Sequence, residues 1–220
     1  MTDPHTQIPL SSDTSTLEVP FRGELLSVER IQAAARRIAL AQDWTVAEPP
    51  ARTPLGEVLD RAARELAEDN VTLTSAVRQL HPVSPATEWL LDNYYLIDEQ
   101  VRAVRHDLPS HYGVELPRLT SDPFKGFPRI YEAIISLVSY TDAQLDAEFL
   151  GRFVEGLQEV SPLTIGEVWA TPIMLRVALL ENLRRLSARV VNAYRATRAA
   201  DEWAERLLLA AQDDPDALRV

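Results

Sequence analysis

Two short stretches concentrate the side chains from which a site could be assembled. Glu88-Trp89-Leu90-Leu91-Asp92-Asn93-Tyr94-Tyr95 holds three aromatics, an amide and two carboxylates, and Arg102 and Arg105 follow on the same helical run. Glu181-Asn182-Leu183-Arg184-Arg185 gathers a carboxylate, an amide and a pair of guanidiniums. Aromatic faces stack on sugar rings while amides and carboxylates bond hydroxyls, so this chemistry suits a carbohydrate. The same residue types also build buried polar networks that fix helix register, the commoner outcome in a packed helical protein.

Other reaction chemistries lack their parts. With no cysteine the chain has no thiol nucleophile, disulfide framework, zinc knuckle or iron-sulfur cluster. No G-x-S-x-G elbow is present, and the only lysine, in Phe124-Lys125-Gly126-Phe127, has one glycine beside it rather than a phosphate cradle. His106 and His111 flank Asp107 but fall on either side of a helix stop at Pro109, without the spacing of a metal pair. Asp92 and Glu99 lie seven residues apart on one helix face, where ion pairing explains them better than glycosidic acid-base work. The expectation is a chain with no catalytic, metal-binding or cofactor-binding residues of its own.

Composition bounds the partners. The 220 residues include 22 basic and 33 acidic side chains, a net charge of −11 that repels phosphate backbones and so argues against nucleic acid. Hydrophobic residues at 46% supply enough apolar surface for a core without metal or disulfide support. The first 20 residues are polar, with neither a signal-peptide pattern nor helical periodicity, and read as a disordered tail. The run Val168 to Leu175 contains Pro172 and stops at Arg176, short of the ~20 residues that a membrane-spanning helix needs.

The elements that must position these residues are helices throughout. From Gly23 the spacing of Leu25, Val28, Ile31, Ala35 and Ile38 predicts a first helix, ended by Glu48-Pro49-Pro50. Thr53-Pro54 opens a second, Val71 to Leu80 reads as a separate short helix, and Ser84-Pro85 opens a long one carrying the stripe Leu90, Tyr94, Ile97, Val101, Val104 and Leu108. A Pro- and Gly-containing connection from Ser110 to Phe127 follows, then helices over Pro128 to Ser139 and from about Asp142 to Val160. Thr164-Ile165-Gly166-Glu167 is a capping box that starts the last helix, with a kink or restart expected at Pro172. Beyond it a heptad seam runs Leu179, Leu183, Leu186, Val190, Ala193, Thr197, Ala200, Ala204, Leu207, Ala211. The fold class is all-α: an irregular bundle of six or seven helices in one domain over 21–220, with no strand, cut from a longer chain at its polar C-terminus.

The ordered series Trp89-Leu90-Leu91-Asp92-Asn93-Tyr94-Tyr95, Asp107-Leu108-Pro109, Pro128-Arg129-Ile130-Tyr131, Pro162-Leu163-Thr164-Ile165-Gly166-Glu167-Val168-Trp169, Pro172-Ile173-Met174-Leu175-Arg176 and Glu181-Asn182-Leu183-Arg184-Arg185 resembles the N-terminal region of bacterial cyclic β-1,2-glucan synthases. The resemblance covers residues 84 to about 190. It implies a very large inner-membrane parent that polymerises and cyclises glucose from UDP-glucose, with this region on the cytoplasmic side. In that family the glycosyltransferase, membrane and phosphorylase-like regions lie downstream, so no catalytic residue carries over. The implied role is a non-catalytic scaffolding or regulatory domain partnered by those membrane and catalytic regions. The alternative is a stand-alone helical module that binds a protein or β-1,2-glucan. On either reading the contact residues are Trp89, Asp92, Asn93, Tyr94, Arg102, Arg129, Tyr131, Glu167, Trp169, Arg176, Glu181 and Asn182.

Overall fold

The computed structural model of the protein describes residues 25–46, 54–108 and 116–213, with side chains as far as residue 210. The tail, the Glu48-Pro49-Pro50 breaker, the Thr53 cap, Pro109, His111, the Ala211 side chain and the acidic terminus from Asp214 lie outside these residues. Among the described residues there are seven helices: α1 Val28–Ala41, α2 Pro54–Arg78, α3 Pro85–Asp92, α4 Tyr94–Asp107, α5 Arg129–Tyr140, α6 Ala147–Val160 and α7 Ile165–Asp213. The all-α reading holds.

The bundle is built around α5. Ile130, Ile134, Ile135, Leu137 and Val138 point in several directions from one helix and all are buried, and on its polar side Arg129 and Ser139 are buried as well. One side of α5 meets α7, which also carries α2 and α4, and α1 and α6 pack as a pair beside it. The α1/α6 crossing is close because Gly156 is a glycine. A Cβ there would lie 2.4 Å from the Gln32 carbonyl oxygen and 2.8 Å from Ala35 Cβ. Gly156 therefore contributes more through packing than it costs in helix propensity.

Four boundaries differ from the sequence expectation. Residues 71–78 continue α2 rather than forming their own helix, because Leu66, Leu73 and Ala76 extend the buried stripe of Leu55, Leu59 and Ala62 with no breaker between. The long helix at 84–108 is split at Asn93, whose side-chain amide and backbone N–H both donate to the Trp89 carbonyl, at 2.8 and 3.0 Å. The apolar stripe crosses the break intact, with Leu90, Ile97, Val101 and Val104 all buried. α6 starts at Ala147, capped by Asp146, after a turn in which Asp142 and Ala143 have positive φ. Strands are present after all: β1 Trp44–Thr45 and β2 Arg118–Leu119 form a two-residue antiparallel ribbon. Such a ribbon is too short to leave an alternating pattern in the sequence.

α7 runs as one helix of 49 residues through Pro172, so the helix does not restart there. Pro172 and Val168 both lie on the exposed face, so water can reach the carbonyl that the proline leaves without an amide donor. Thr171 does not cap a restart; its hydroxyl donates to the Glu167 carbonyl at 2.9 Å. The start is as the sequence reads: Thr164 N–H donates to Glu167 Oε2 at 2.8 Å and Glu167 N–H to Thr164 Oγ1 at 3.2 Å, a reciprocal capping box. No described helix is long and apolar enough to cross a membrane.

Candidate functional site

The charged motif residues divide between two buried locks and the surface. In the first lock, Arg129 at the start of α5 reaches the start of α7. Its Nε donates to Glu167 Oε1 at 2.6 Å and its Nη2 to Glu167 Oε2 at 2.9 Å, a two-pronged pair in which both side chains are almost wholly buried. The remaining guanidinium donors bond Ser161 Oγ and the Pro162 carbonyl, and Trp44 lies 4.5 Å from the guanidinium carbon. Desolvation of a buried pair is tolerable only when its other donors and acceptors are satisfied, and these are. Phe124, Phe127 and Tyr131 form a cluster of rings, with Phe127 stacked on Tyr131 at 5.3 Å. The turn that brings Phe127 there passes through Gly126 at φ +84°, a left-handed conformation suited to glycine.

The second lock joins α2 to the middle of α7. Glu181, 2% exposed, accepts from Arg184 Nε and Nη2, each at 2.8 Å, and from Arg185 Nε at 2.9 Å. Arg184 also donates to Glu65 of α2 at 2.5 Å. Burial pushes the Glu181 carboxyl up, but the hydrogen bonds and charges of Arg184 and Arg185 outweigh it and hold the group below the usual carboxylate range. The buried Tyr131 phenol is pushed up by burial and by the Glu181 charge. Arg129, Tyr131, Glu167 and Glu181 are thus brought into the interior as fasteners between helices.

The other motif residues lie apart from one another. Asp92 and Arg102 are exposed, Arg102 paired with Asp98 of its own helix. Tyr94 is half-buried between α2 and α4, where burial raises its phenol. Trp169 is 80% exposed, and Arg176 bridges to Asp107 at 3.2 Å across α7 and α4. Asn93 bonds the Trp89 carbonyl within its own segment, and Trp89 and Asn182 both line a groove.

That groove, of about 810 Å³, runs along α7. Leu183, Leu186, Val190 and Ala193 of the heptad seam form one wall and Trp89 with Leu90 of α3 the other. Leu25 and Asp142 close it, and Asn182 and Arg189 add polar atoms at the edge. The seam is the sequence signal that foretold the first wall. Leu25 and Asp142 had none, since they reach the groove through the turns flanking α1 and α5. Among the described residues no three His, Asp or Glu side chains group as a metal site. The lining is mainly aliphatic, which suits an apolar helix better than a sugar.

The fold is a bundle of helices with an apolar groove along α7. No family model matches the chain. It is similar to the cyclic beta-(1,2)-glucan synthase NdvB of Rhizobium meliloti (strain 1021), with 37% identity over 137 residues, 62% of this chain. The matched stretch covers 5% of that protein, so the chain corresponds to a small part of it.

Proposed function

We propose that this chain is a non-catalytic helical assembly domain of a cyclic β-1,2-glucan synthase-like protein, held at the cytoplasmic face of the inner membrane by the regions it partners. The observation that carries this reading is where the shared motif residues go. Arg129 pairs with Glu167 across α5 and α7, Glu181 is held by Arg184 and Arg185 of its own helix, and Arg184 reaches Glu65 of α2, so these largely buried charges are engaged with one another and out of a substrate's reach. The prominent open feature is instead an apolar groove on α7, a surface for holding another polypeptide. Similarity to the Rhizobium synthase supplies the class of parent.

The purified chain supplied with radiolabelled UDP-glucose is expected to incorporate no glucose into polymer. Glucan synthesis by the isolated chain would overturn the non-catalytic assignment.

A further inference from the structure

The fastening between α2 and α7 that lies furthest along α7 is a histidine. α2 closes on the left-handed Leu80, at φ 58°, and the N–H of the next residue, His81, turns back to the Ala76 carbonyl at 3.2 Å. That turn sets the His81 ring against α7. Its Nδ1 lies 3.0 Å from Arg198 Nη1, its Nε2 lies 3.0 Å from Gln79 Oε1, and Tyr194 meets the ring edge-on at 6.3 Å. Past Arg198 every described residue as far as Ala210 is exposed, and the described side-chain bonds and ring contacts there stay within α7.

The partners fix where the ring carries its proton. A guanidinium has only N–H donors and no lone pair to offer, so the Arg198 contact exists when Nδ1 is the bare, accepting nitrogen. The ring proton then sits on Nε2 and is donated to Gln79 Oε1. A second proton has one place to go, Nδ1, where it turns the acceptor into a donor and sets an imidazolium against a guanidinium. Glu202, one turn further along α7, accepts from Arg198 Nη2 at 3.1 Å, so Arg198 keeps a carboxylate partner when the ring lets go. Arg78 of α2 and Arg195 and Asp201 of α7, each three residues from the ring or from Arg198, are exposed, and Tyr194 offers the ring its edge.

We infer that His81 is a proton-operated latch on α7: the neutral ring ties Arg198 to the end of α2, and protonation at Nδ1 releases the helix from Tyr194 onward. The step takes one proton from solvent and breaks one hydrogen bond. Histidine is the residue type suited to it, since imidazole is the ordinary side chain that changes charge between neutral and mildly acid conditions. Mild acid thereby sets how firmly the projecting end of α7 is held. The latch goes beyond the assembly reading and does not rest on it, because it concerns α2 and α7 alone.

Amide hydrogen exchange of the full chain at pH 7.5 and pH 5.0, corrected for intrinsic rates, tests the latch; the lower pH stays above the range in which the Glu181 lock weakens. Amides over 195–210 are expected to exchange about tenfold faster at pH 5.0, with those of α5 unchanged. His81→Asn, whose Oδ1 takes the place of Nδ1 and does not titrate, should keep exchange slow at both pH values. His81→Ala and Arg198→Ala should give fast exchange at both. Glu202→Gln should keep the pH response, which separates the ring from the neighbouring carboxylate. In a proton–nitrogen correlation spectrum at pH 7.5 the His81 ring, identified by its absence from His81→Asn, should carry its proton on Nε2. Equal exchange at the two pH values in the unaltered chain, a response that persists in His81→Asn or vanishes in Glu202→Gln, or a ring protonated on Nδ1 at pH 7.5 would each overturn the proposal.

Discussion

Arg129 grips Glu167 with two parallel hydrogen bonds, at 2.6 and 2.9 Å, while Glu167 also closes the capping box of α7 through the Thr164 amide. One carboxylate thus sets both where the longest helix begins and where it meets α5. Removing one partner strands the other without water. Arg129→Ala is therefore expected to cost about 3–5 kcal/mol, against about 1 kcal/mol for Thr164→Ala, which loses only a cap. Urea unfolding of the two variants measures the order, and a larger loss for Thr164→Ala contradicts it.

Acid should loosen the second lock. Because Glu181 has a lowered carboxyl pKa in the folded protein, it binds fewer protons there than in the unfolded chain. Its contribution is therefore complete above the unfolded value of about 4.3 and fades as pH falls through the lower folded value. Melting temperature followed downward from neutral pH should drop through that range. Glu181→Gln should be less stable at neutral pH and show a flatter acid limb; an unchanged acid limb contradicts the assignment.

The two glycines of α6 should respond oppositely to alanine. At Gly156 a methyl group meets the Gln32 backbone oxygen at 2.4 Å, so Gly156→Ala must push α1 away and is expected to cost about 1–3 kcal/mol. Gly151 has nothing within 4 Å of its added Cβ, so Gly151→Ala is expected to gain about 0.5–1 kcal/mol of stability from helix propensity alone. Thermal unfolding with opposite signs is the expected pattern.

Leu80 ends α2 in the left-handed conformation, at φ 58°, and is 91% exposed. Its N–H donates to the Val77 carbonyl and that of His81 to the Ala76 carbonyl, the paired bonds of a Schellman cap. Leu80→Gly relieves the Cβ clash of that conformation and should raise stability by about 0.5–1 kcal/mol in urea unfolding. A loss of stability would contradict it.

Helix periodicity made most of this fold legible before any coordinates. The stripe from Leu90 to Leu108, the Thr164 capping box and the seam of α7 all mark faces or ends that the structure uses. The misread places are those where one residue's local bonding overrides periodicity. The Asn93 amide interrupts a stripe that continues unchanged on either side of it, and Pro172 is absorbed because its missing donor falls on the solvent side. The candidate site was legible in residue type and not in placement. Arg129 and Glu167 are 38 residues apart in sequence, as are Trp44 and Asn182 from their partners by larger spans, and neither spacing nor composition encodes which helices meet. A motif rich in carboxylate and guanidinium admits a sugar site beside the commoner buried network, and only burial shows which side chains go where.

Immunoblotting membranes and cytosol of the source cells, with an antibody raised against this chain, tests the assembly-domain account most directly. The account predicts a membrane-associated band far heavier than the 24.7 kDa of the chain itself. A band at 24.7 kDa confined to the soluble fraction would contradict it.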